Sequence, residues 1–478
     1  MSGSVAVLRG NAADLPLPDE SVDLIVTSPP FWGLRDYKDG GQSLHGQVGA
    51  EETPHEYLQA LWRCTREWIR VLKPDGSLFV NLGDKYSTYT GANWGNGRSL
   101  DGNRGPAKVP HGGPVNAPQV YGIPYKSLIG LPWRYALGCV GGGPALADPE
   151  TVKLLLRDVA LGTCTLADAE QVIDELAGYP APGLGLILRA EIIWHKPTAM
   201  PESASDRVKR SHEHVFHFTK RQRYFAAVDE IREPHTMKPQ RRPNGHRQRQ
   251  RLGVLPAQTW STSQRDEPGF DGHPLGKLPG SVWEIATVPL NVPERLAHGR
   301  CCGGRKRPGC EDGLGHHAAW PPELVRRIIL GWSPAGICAA CGQGRVPVSD
   351  RTAQGRQRTD AGDGGRGSRL SGYRDIARLP WTEGVERHIT GYRCACPDTS
   401  APARPAVVAD PFGGTGTTAL VASVLGRTGI SVDLSHDYGR IAQWRTADPA
   451  ERARALNVPK PPPVTDGQGS LFDESECT

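Results

Sequence analysis

The sequence predicts an α/β protein on a doubly wound, mostly parallel sheet with long loop insertions. Three observations carry this. Near the amino end, SVDLIVTSPPFWGLRDY (21–37) holds a short, nearly continuous apolar run, as a strand buried on both faces requires. Near the carboxyl end, PAVVADPFGGTGTTALVASVLGRTGISVDLSHDYGRIAQWR (405–445) reads strand, glycine turn, helix, strand. Of 478 residues, 58 are Gly and 42 Pro, against 38% hydrophobic and 22% charged, so a soluble globular chain must devote much length to loops.

The elements follow in order. Ser4–Arg9 is β-rich and the strand of Asp23–Thr27 comes next. Residues 54–72 place Tyr57, Leu58, Leu61, Trp62, Ile69 and Leu72 at helical spacing, and KPDG then turns into a strand over Ser77–Leu82. Residues 86–122 are Gly-, Asn- and Pro-rich, too long for a plain connection, and read as a functional or disordered loop. A helical pattern returns over 123–140, a polar helical insert covers 148–179, and LGLILRAEIIWHKP is a strand pair or strand plus turn. SVWEIATVPL (281–290) is strand-like, and HHAAWPPELVRRIILGWSP (316–334) is a helix entered through Pro321-Pro322. Residues 350–375 are low-complexity, and the last 25 or so residues read as a tail.

Composition narrows the function classes. No run of about 20 apolar residues exists, so no membrane span is expected. MSGSVAVLRGN lacks a signal-peptide core. The net charge of +5 is mild, so a nucleic-acid footprint must be local. The basic stretch at 207–251 is the candidate, its alternative being a solvated loop. Eleven cysteines, odd in number and bunched, fit metal binding in a reducing compartment better than a disulfide scaffold.

The carboxyl-terminal unit carries chemistry. Its strand ends in Asp410, Gly413, Gly414 and Gly416 follow, and a helix starts at Thr417. Such glycines either make an ordinary tight turn or admit a ligand to the backbone and a helix N-terminus. The next strand ends in Asp433, placed to accept from both hydroxyls of a ribose. A carboxylate at Asp410 suits a cationic ligand, and the missing lysine argues against a phosphate loop.

With these residues in view, the chain resembles a family. DPFGGTGTT is similar to the S-adenosylmethionine-binding motif of the amino-methylating DNA methyltransferases. TSPPF resembles their catalytic motif, Asp, Asn or Ser before Pro-Pro and an aromatic. The catalytic motif comes first and the cofactor motif last, an order that looks like the β group, a circularly permuted Rossmann-like methyltransferase fold. LRGNAADLPLPDESVDLIVTSPPF resembles the family's opening segment, with Gly10-Asn11 where Gly-Asp is common. EIIWHKPTAMPESASDRVKRSHEHVFHFTK is similar to its W-x-K … R … H-E … F-x-K block, and HHAAWPPELVRRII to its H-P-A-x-F-P segment, with Ala318 for Pro and Trp320 for Phe.

The resemblance implies that the Asp410 strand lies beside the Val22–Val26 strand. Asp410, Phe412, Gly414, Thr415, Gly416 and Thr417 would hold the methionine end and backbone of S-adenosylmethionine, Asp433 the ribose, and Asn11 or Asp14 the adenine. The acceptor would be an exocyclic amine, a poor nucleophile whose lone pair is delocalised into its ring. Ser28 and the Pro29 carbonyl would accept its N–H groups, Pro29 and Pro30 would fix that carbonyl, and Phe31 would stack on a base flipped from the duplex. Trp32 would line the pocket or pack under it. No cysteine sits in the motif, which argues against a carbon-5 cytosine enzyme. Serine in the first position is more typical of cytosine-N4 enzymes than of adenine-N6 enzymes, so cytosine N4 is favoured. An inert DNA-binding module and an RNA or protein methyltransferase are the rivals.

The implied organisation places the catalytic-motif half at 1–85, the Gly/Asn-rich loop at 86–122, and further methyltransferase sequence at 123–225 with a helical insert at 143–181. A target-recognition region follows at 226–280. Methyltransferase sequence at 281–335 contains a Cys-rich insert at 298–315, a zinc-binding insertion spans 336–398, the cofactor half 399–450 and a tail 451–478. Cys338, Cys341, Cys394 and Cys396 form two half-sites that are either a tetrahedral structural zinc site, as a zinc knuckle, or adjacent free thiols. Cys301, Cys302 and Cys310, near His298, His316 and His317, are a second candidate cluster; Cys64, Cys139 and Cys164 read as core or incidental. The expected partners are double-stranded DNA and a restriction endonuclease acting separately, with no membrane, in a bacterial or phage-encoded cytoplasmic setting.

Overall fold

The computed structural model describes residues 3–33, 38–39, 42–43, 46–87, 123–124, 126–141, 149–168, 183–199, 204–234, 273, 275–293, 296, 320–352, 386–394, 396 and 401–459. One sheet of eight strands organises the described chain. In chain order the strands are β1 (Ser4–Arg9), β2 (Val22–Thr27), the two-residue β3 (Lys38–Asp39) and β4 (Gln42–Ser43), β5 (Leu72–Leu82), β6 (Ile187–His195), β7 (His212–Thr219), β8 (Val282–Glu284), β9 (Ile337–Cys338), β10 (Val346–Thr352), β11 (Glu386–Arg393), β12 (Ala403–Arg404), β13 (Val407–Asp410) and β14 (Thr428–Asp433). The helices are α1 (Pro54–Val71), α2 (Leu131–Val140), α3 (Pro149–Ala160), α4 (Pro322–Trp332), α5 (Thr417–Val424), α6 (His436–Ala447) and α7 (Pro449–Leu456).

The main sheet runs β1-β14-β13-β2-β5-β7-β6-β8. All neighbours are parallel except the two pairs that flank β7, so the sheet is mixed but mostly parallel. β13 and β14 insert between β1 and β2, with Val408 opposite Leu24 and Ala409 opposite Ile25. Chain from the carboxyl end thus supplies the middle of a sheet begun at the amino end.

Both faces of the sheet are covered, which explains why β2 is buried at all six positions. On one face Val22, Ile25, Leu78 and Val80 pack with Tyr57, Leu61, Trp62 and Trp68 of α1 and Leu131 and Tyr135 of α2. On the other, Leu24, Val26, Phe79 and Val408 pack with Leu324, Val325, Ile328 and Ile329 of α4 and Leu420 and Val421 of α5. α1 starts at a capping box, where Thr53 Oγ1 accepts from Glu56 N (3.1 Å) and Glu56 Oε2 accepts from Thr53 N (3.0 Å).

Several boundaries differ from the sequence reading. β5 starts at Leu72 rather than Ser77, because Leu72 already pairs with Val22 while KPDG bulges out before Ser77 pairs with Leu24. α2 starts at Leu131, not near 123. Gly130 adopts φ 80° there, and Asp84 caps the helix, Oδ1 accepting from the Gly130 and Leu131 amides at 3.0 Å each. β8 covers only three residues of 281–290. α7 crosses the expected start of the tail at 451, because Ala453 and Ala455 are buried. Most of the 86–122 loop, the second half of the helical insert, most of 226–280, the 350–375 segment beyond Thr352 and the cluster of Cys301, Cys302 and Cys310 lie outside the described residues.

Candidate active site at the carboxyl edge of the sheet

Strand direction lines the candidate residues up along one edge. The carboxyl ends of β1, β14, β13, β2 and β5 lead to Asn11, Asp433, Asp410, Ser28 and Gly83, in that order across the sheet. Asp433 and Ser28 therefore stand two strand spacings apart, roughly 10 Å. From β13 the chain passes to α5 on one face, and from β2 to α1 on the other. Their loops therefore diverge at the switch point, where open α/β sheets place their ligand crevice.

A hydrogen bond joins the two halves. Thr27 Oγ1 donates to Asp410 Oδ1 at 2.7 Å across 383 residues of sequence. Thr418 Oγ1 donates to Asp410 Oδ2 (2.8 Å) and Phe412 N to Oδ1 (3.1 Å). Asp410 is 1% exposed, and none of these partners is a cation. Burial pushes its carboxyl up to about 6, against the pull of the two hydroxyls. Asp433 is half-buried; its Oδ2 accepts from Gly414 N and its Oδ1 from Ser435 N, both at 2.8 Å. Gly414 and Gly416 have φ of 50° and 76°, a region open to glycine. A Cβ on Gly416 would also stand 2.7 Å from Ala442 Cβ.

Thr415 and Thr417 face away from the crevice. Both are buried, and their hydroxyls accept from Arg445 Nη1 at 2.9 and 2.8 Å. Arg445 is itself buried and paired with Glu451 (3.0 Å). Their side chains brace the loop, and only their backbone is left for a ligand. Phe412 meets Trp68 edge-on at 6.0 Å, and Trp68 Nε1 donates to Ala12 O (3.0 Å), which ties the Asn11 segment to the glycine loop. Asn11 and Asp14 both lie exposed beyond β1; Asn11 Oδ1 accepts from Ala13 N (2.9 Å).

On the β2 side, Ser28 is half-buried and accepts from Asn81 Nδ2 at 3.1 Å. The Pro30 carbonyl accepts from Tyr57 Oη (2.8 Å), which anchors the Pro-Pro turn on α1. The Phe31 ring lies over Gly83, where a Cβ would come within 2.6 Å of it. Trp32 packs half-buried at the edge of the α1-side core, its indole donating to Glu51 O (2.8 Å) and Lys85 Nζ 4.7 Å from its ring centre. Sequence reasoning did not single out Asn81, Glu213, Lys196, Arg445 or Glu451, although Lys196 and Glu213 lie inside the W-x-K and H-E segments.

Away from the sheet edge, the sulfurs of Cys338, Cys341, Cys394 and Cys396 lie within 4.8 Å of one another. A tight turn makes the first half-site: Gly342 N donates to Cys338 O and Cys338 N to Gln343 O, both at 2.9 Å, with Gly342 at φ 71°. The β10–β11 ribbon delivers the second, pairing Val346 with Arg393 just before Cys394. Backbone amides of Cys341 and Ala340 hold the Cys338 thiol down to about 6. Cys64 and Cys139 are buried in the core.

These features define a doubly wound α/β protein whose candidate site lies at the carboxyl edge of its parallel strands. A family model described as DNA methylase, of the N6/N4 methyltransferases, matches residues 22–337, about two thirds of the chain. The chain belongs to this N6/N4 DNA methylase family. It is 34% identical over 233 residues to the type II methyltransferase M.SmaI of Serratia marcescens, covering 48% of this chain and 61% of that one. It is also 34% identical over 223 residues to M.XycI of Xanthomonas campestris pv. cyanopsidis, covering 46% and 54%. The chain thus spans little more than half the length of these relatives. Among solved structures, the cytosine-N4-specific PvuII DNA methyltransferase aligns over 96% of this chain and 94% of its own with a TM-score of 0.42 and 16% identity. No described helix is long and apolar enough to cross a membrane.

Proposed function

We propose that the protein is a site-specific DNA methyltransferase that uses S-adenosylmethionine to methylate the exocyclic N4 of cytosine in a flipped-out base. The observation that carries this reading is the order Asp433, Asp410, Ser28 along one sheet edge, with Thr27 bonded to Asp410. The cofactor supplies a methyl group on a sulfonium. Its cationic character fits a buried carboxylate that lacks a cationic hydrogen-bond partner, and Asp433, at the end of the next strand and held by the Gly414 and Ser435 amides, is the carboxylate for the ribose hydroxyls. Gly414 and Gly416 let the backbone approach, Phe412 packs beside the cofactor, Thr415 and Thr417 contribute backbone alone, and Asn11 reaches the adenine. Ser28 and the Pro29 carbonyl accept the N–H groups of the target amine, Pro30 fixes that carbonyl, and Phe31 offers a face to the base. Serine at position 28 supports cytosine N4 over adenine N6.

The reading extends to the rest of the chain. The insertion of β13 and β14 between β1 and β2 supports a permuted methyltransferase order. Residues 226–280 read the target sequence, and the enzyme works on double-stranded DNA in a bacterial or phage-encoded cytoplasmic setting, beside a separate restriction endonuclease. The four cysteines hold a structural zinc, for which a tetrahedron of four thiolates needs sulfurs about 3.8 Å apart. The donor set and its clustering fit that ion.

The test is incubation with labelled S-adenosylmethionine and unmethylated duplex DNA, then digestion to nucleosides. Label in N4-methylcytosine is expected; label in N6-methyladenine would overturn the choice of base, and label in protein or RNA alone would overturn the reading. Ser28→Ala is expected to lose most turnover and still bind cofactor.

A further inference from the structure

The same sheet edge continues past Ser28. Asn81, at the end of β5 and 1% exposed, donates from one nitrogen to both Ser28 Oγ (3.1 Å) and Glu213 Oε2 (2.8 Å). The other Glu213 oxygen pairs with the Lys196 ammonium, which sits 4.2 Å from the Trp194 ring centre. β7 runs antiparallel to β5, so Glu213 near its start reaches this edge, and Lys196 follows the end of β6. Asn81 Oδ1 is buried without a hydrogen-bond partner. A buried amide leaves its oxygen orphaned only when something else dictates its orientation. Glu213 does so here: turning the amide over would set its carbonyl against a carboxylate, acceptor against acceptor.

We propose that Asn81, oriented by the Glu213–Lys196 pair, is a positioning residue that locks the Ser28 hydroxyl for the target amine. This rests on the reading of Ser28 given above. With one lone pair taken by Asn81, the hydroxyl keeps one lone pair and its proton for the substrate. That donor–acceptor pattern matches an amine N–H beside a ring nitrogen, the edge that cytosine and adenine both present. Asn81→Asp reverses the bond: the new carboxyl shares a proton with the Glu213 carboxylate, 2.8 Å from the atom it replaces, and its remaining acceptor capacity toward Ser28 draws the serine proton inward.

The experiment measures turnover with labelled S-adenosylmethionine and polymerase-amplified, methyl-free duplex DNA several kilobases long. Asn81→Asp is introduced with Ser28 present and in Ser28→Ala. The expected result is about a tenfold loss of kcat in the first background, cofactor affinity within about twofold, and less than about twofold further loss in the second. Equal losses in both backgrounds, no loss, or a loss through cofactor affinity overturns the inference while leaving the role of Ser28 intact. Wild-type turnover in Ser28→Ala overturns both. Where Asn81→Asp does not fold, Asn81→Ala replaces it. Where Ser28→Ala is too slow to compare, Glu213→Gln decides: lower kcat at unchanged KM for DNA supports the inference, and unchanged kcat overturns it.

Discussion

Asp410→Asn tests the electrostatics of the site without changing its shape. Asp410 is buried, and its carboxyl is pushed from 3.8 up to about 6. The folded protein therefore binds this proton more tightly than the unfolded chain does. Stability is highest below the unfolded value and falls as pH rises toward and through the folded value. The full cost of ionising the buried group is about 3 kcal/mol, reached above about pH 7; roughly 1.3 kcal/mol of it falls between pH 5 and 7. Asparagine keeps acceptors for Thr27 and Phe412 and cannot ionise, so it lacks this slope. The assay is urea denaturation of both proteins at pH 5 and pH 7 without cofactor. The stability difference between wild type and variant should change by about 1.3 kcal/mol in favour of the variant at pH 7. Parallel pH dependence in the two proteins would refute the reasoning, because it would mean that Asp410 is already ionised at pH 5.

Three further outcomes are expected. Arg445→Met leaves the buried Glu451 with Arg454 (2.8 Å) as its remaining cation and removes the donor to Thr415 and Thr417; denaturation should show a loss of about 1–3 kcal/mol, partly restored by adding Glu451→Met, and a single variant as stable as wild type would defeat this. Freshly purified protein should contain one zinc per chain by elemental analysis, Cys394→Ser should lose it, and metal-free protein of full stability would defeat the knuckle assignment. Gly83→Ala places a methyl within 2.6 Å of the Phe31 ring; turnover should fall with a stability cost of about 1–3 kcal/mol, and unchanged turnover would show that the ring position does not matter.

Local pattern accounts for what was legible. The continuous apolar run of β2, the Pro-Pro entry to α4 and the β13–α5–β14 unit are all written in adjacent residues, because burial on two faces, helix entry and the glycine turn are short-range requirements. Boundaries failed where a distant partner decided them. KPDG looks like a turn until Val22 pairs with Leu72, and α2 begins late because Asp84 caps it from 46 residues away.

The sequence by itself determined which residue types could make the site: Ser28 before two prolines, and Asp410 and Asp433 around a glycine turn. Tertiary structure alone decided their company. The pairing of β13 with β2 sets Thr27 against Asp410. The Arg445 side chain turns Thr415 and Thr417 inward, and Asn81 and Glu213 gather behind Ser28. The physical reason is that a strand reports its own burial through local pattern, whereas a hydrogen bond between two side chains depends on register across the sheet, which no single stretch of sequence encodes.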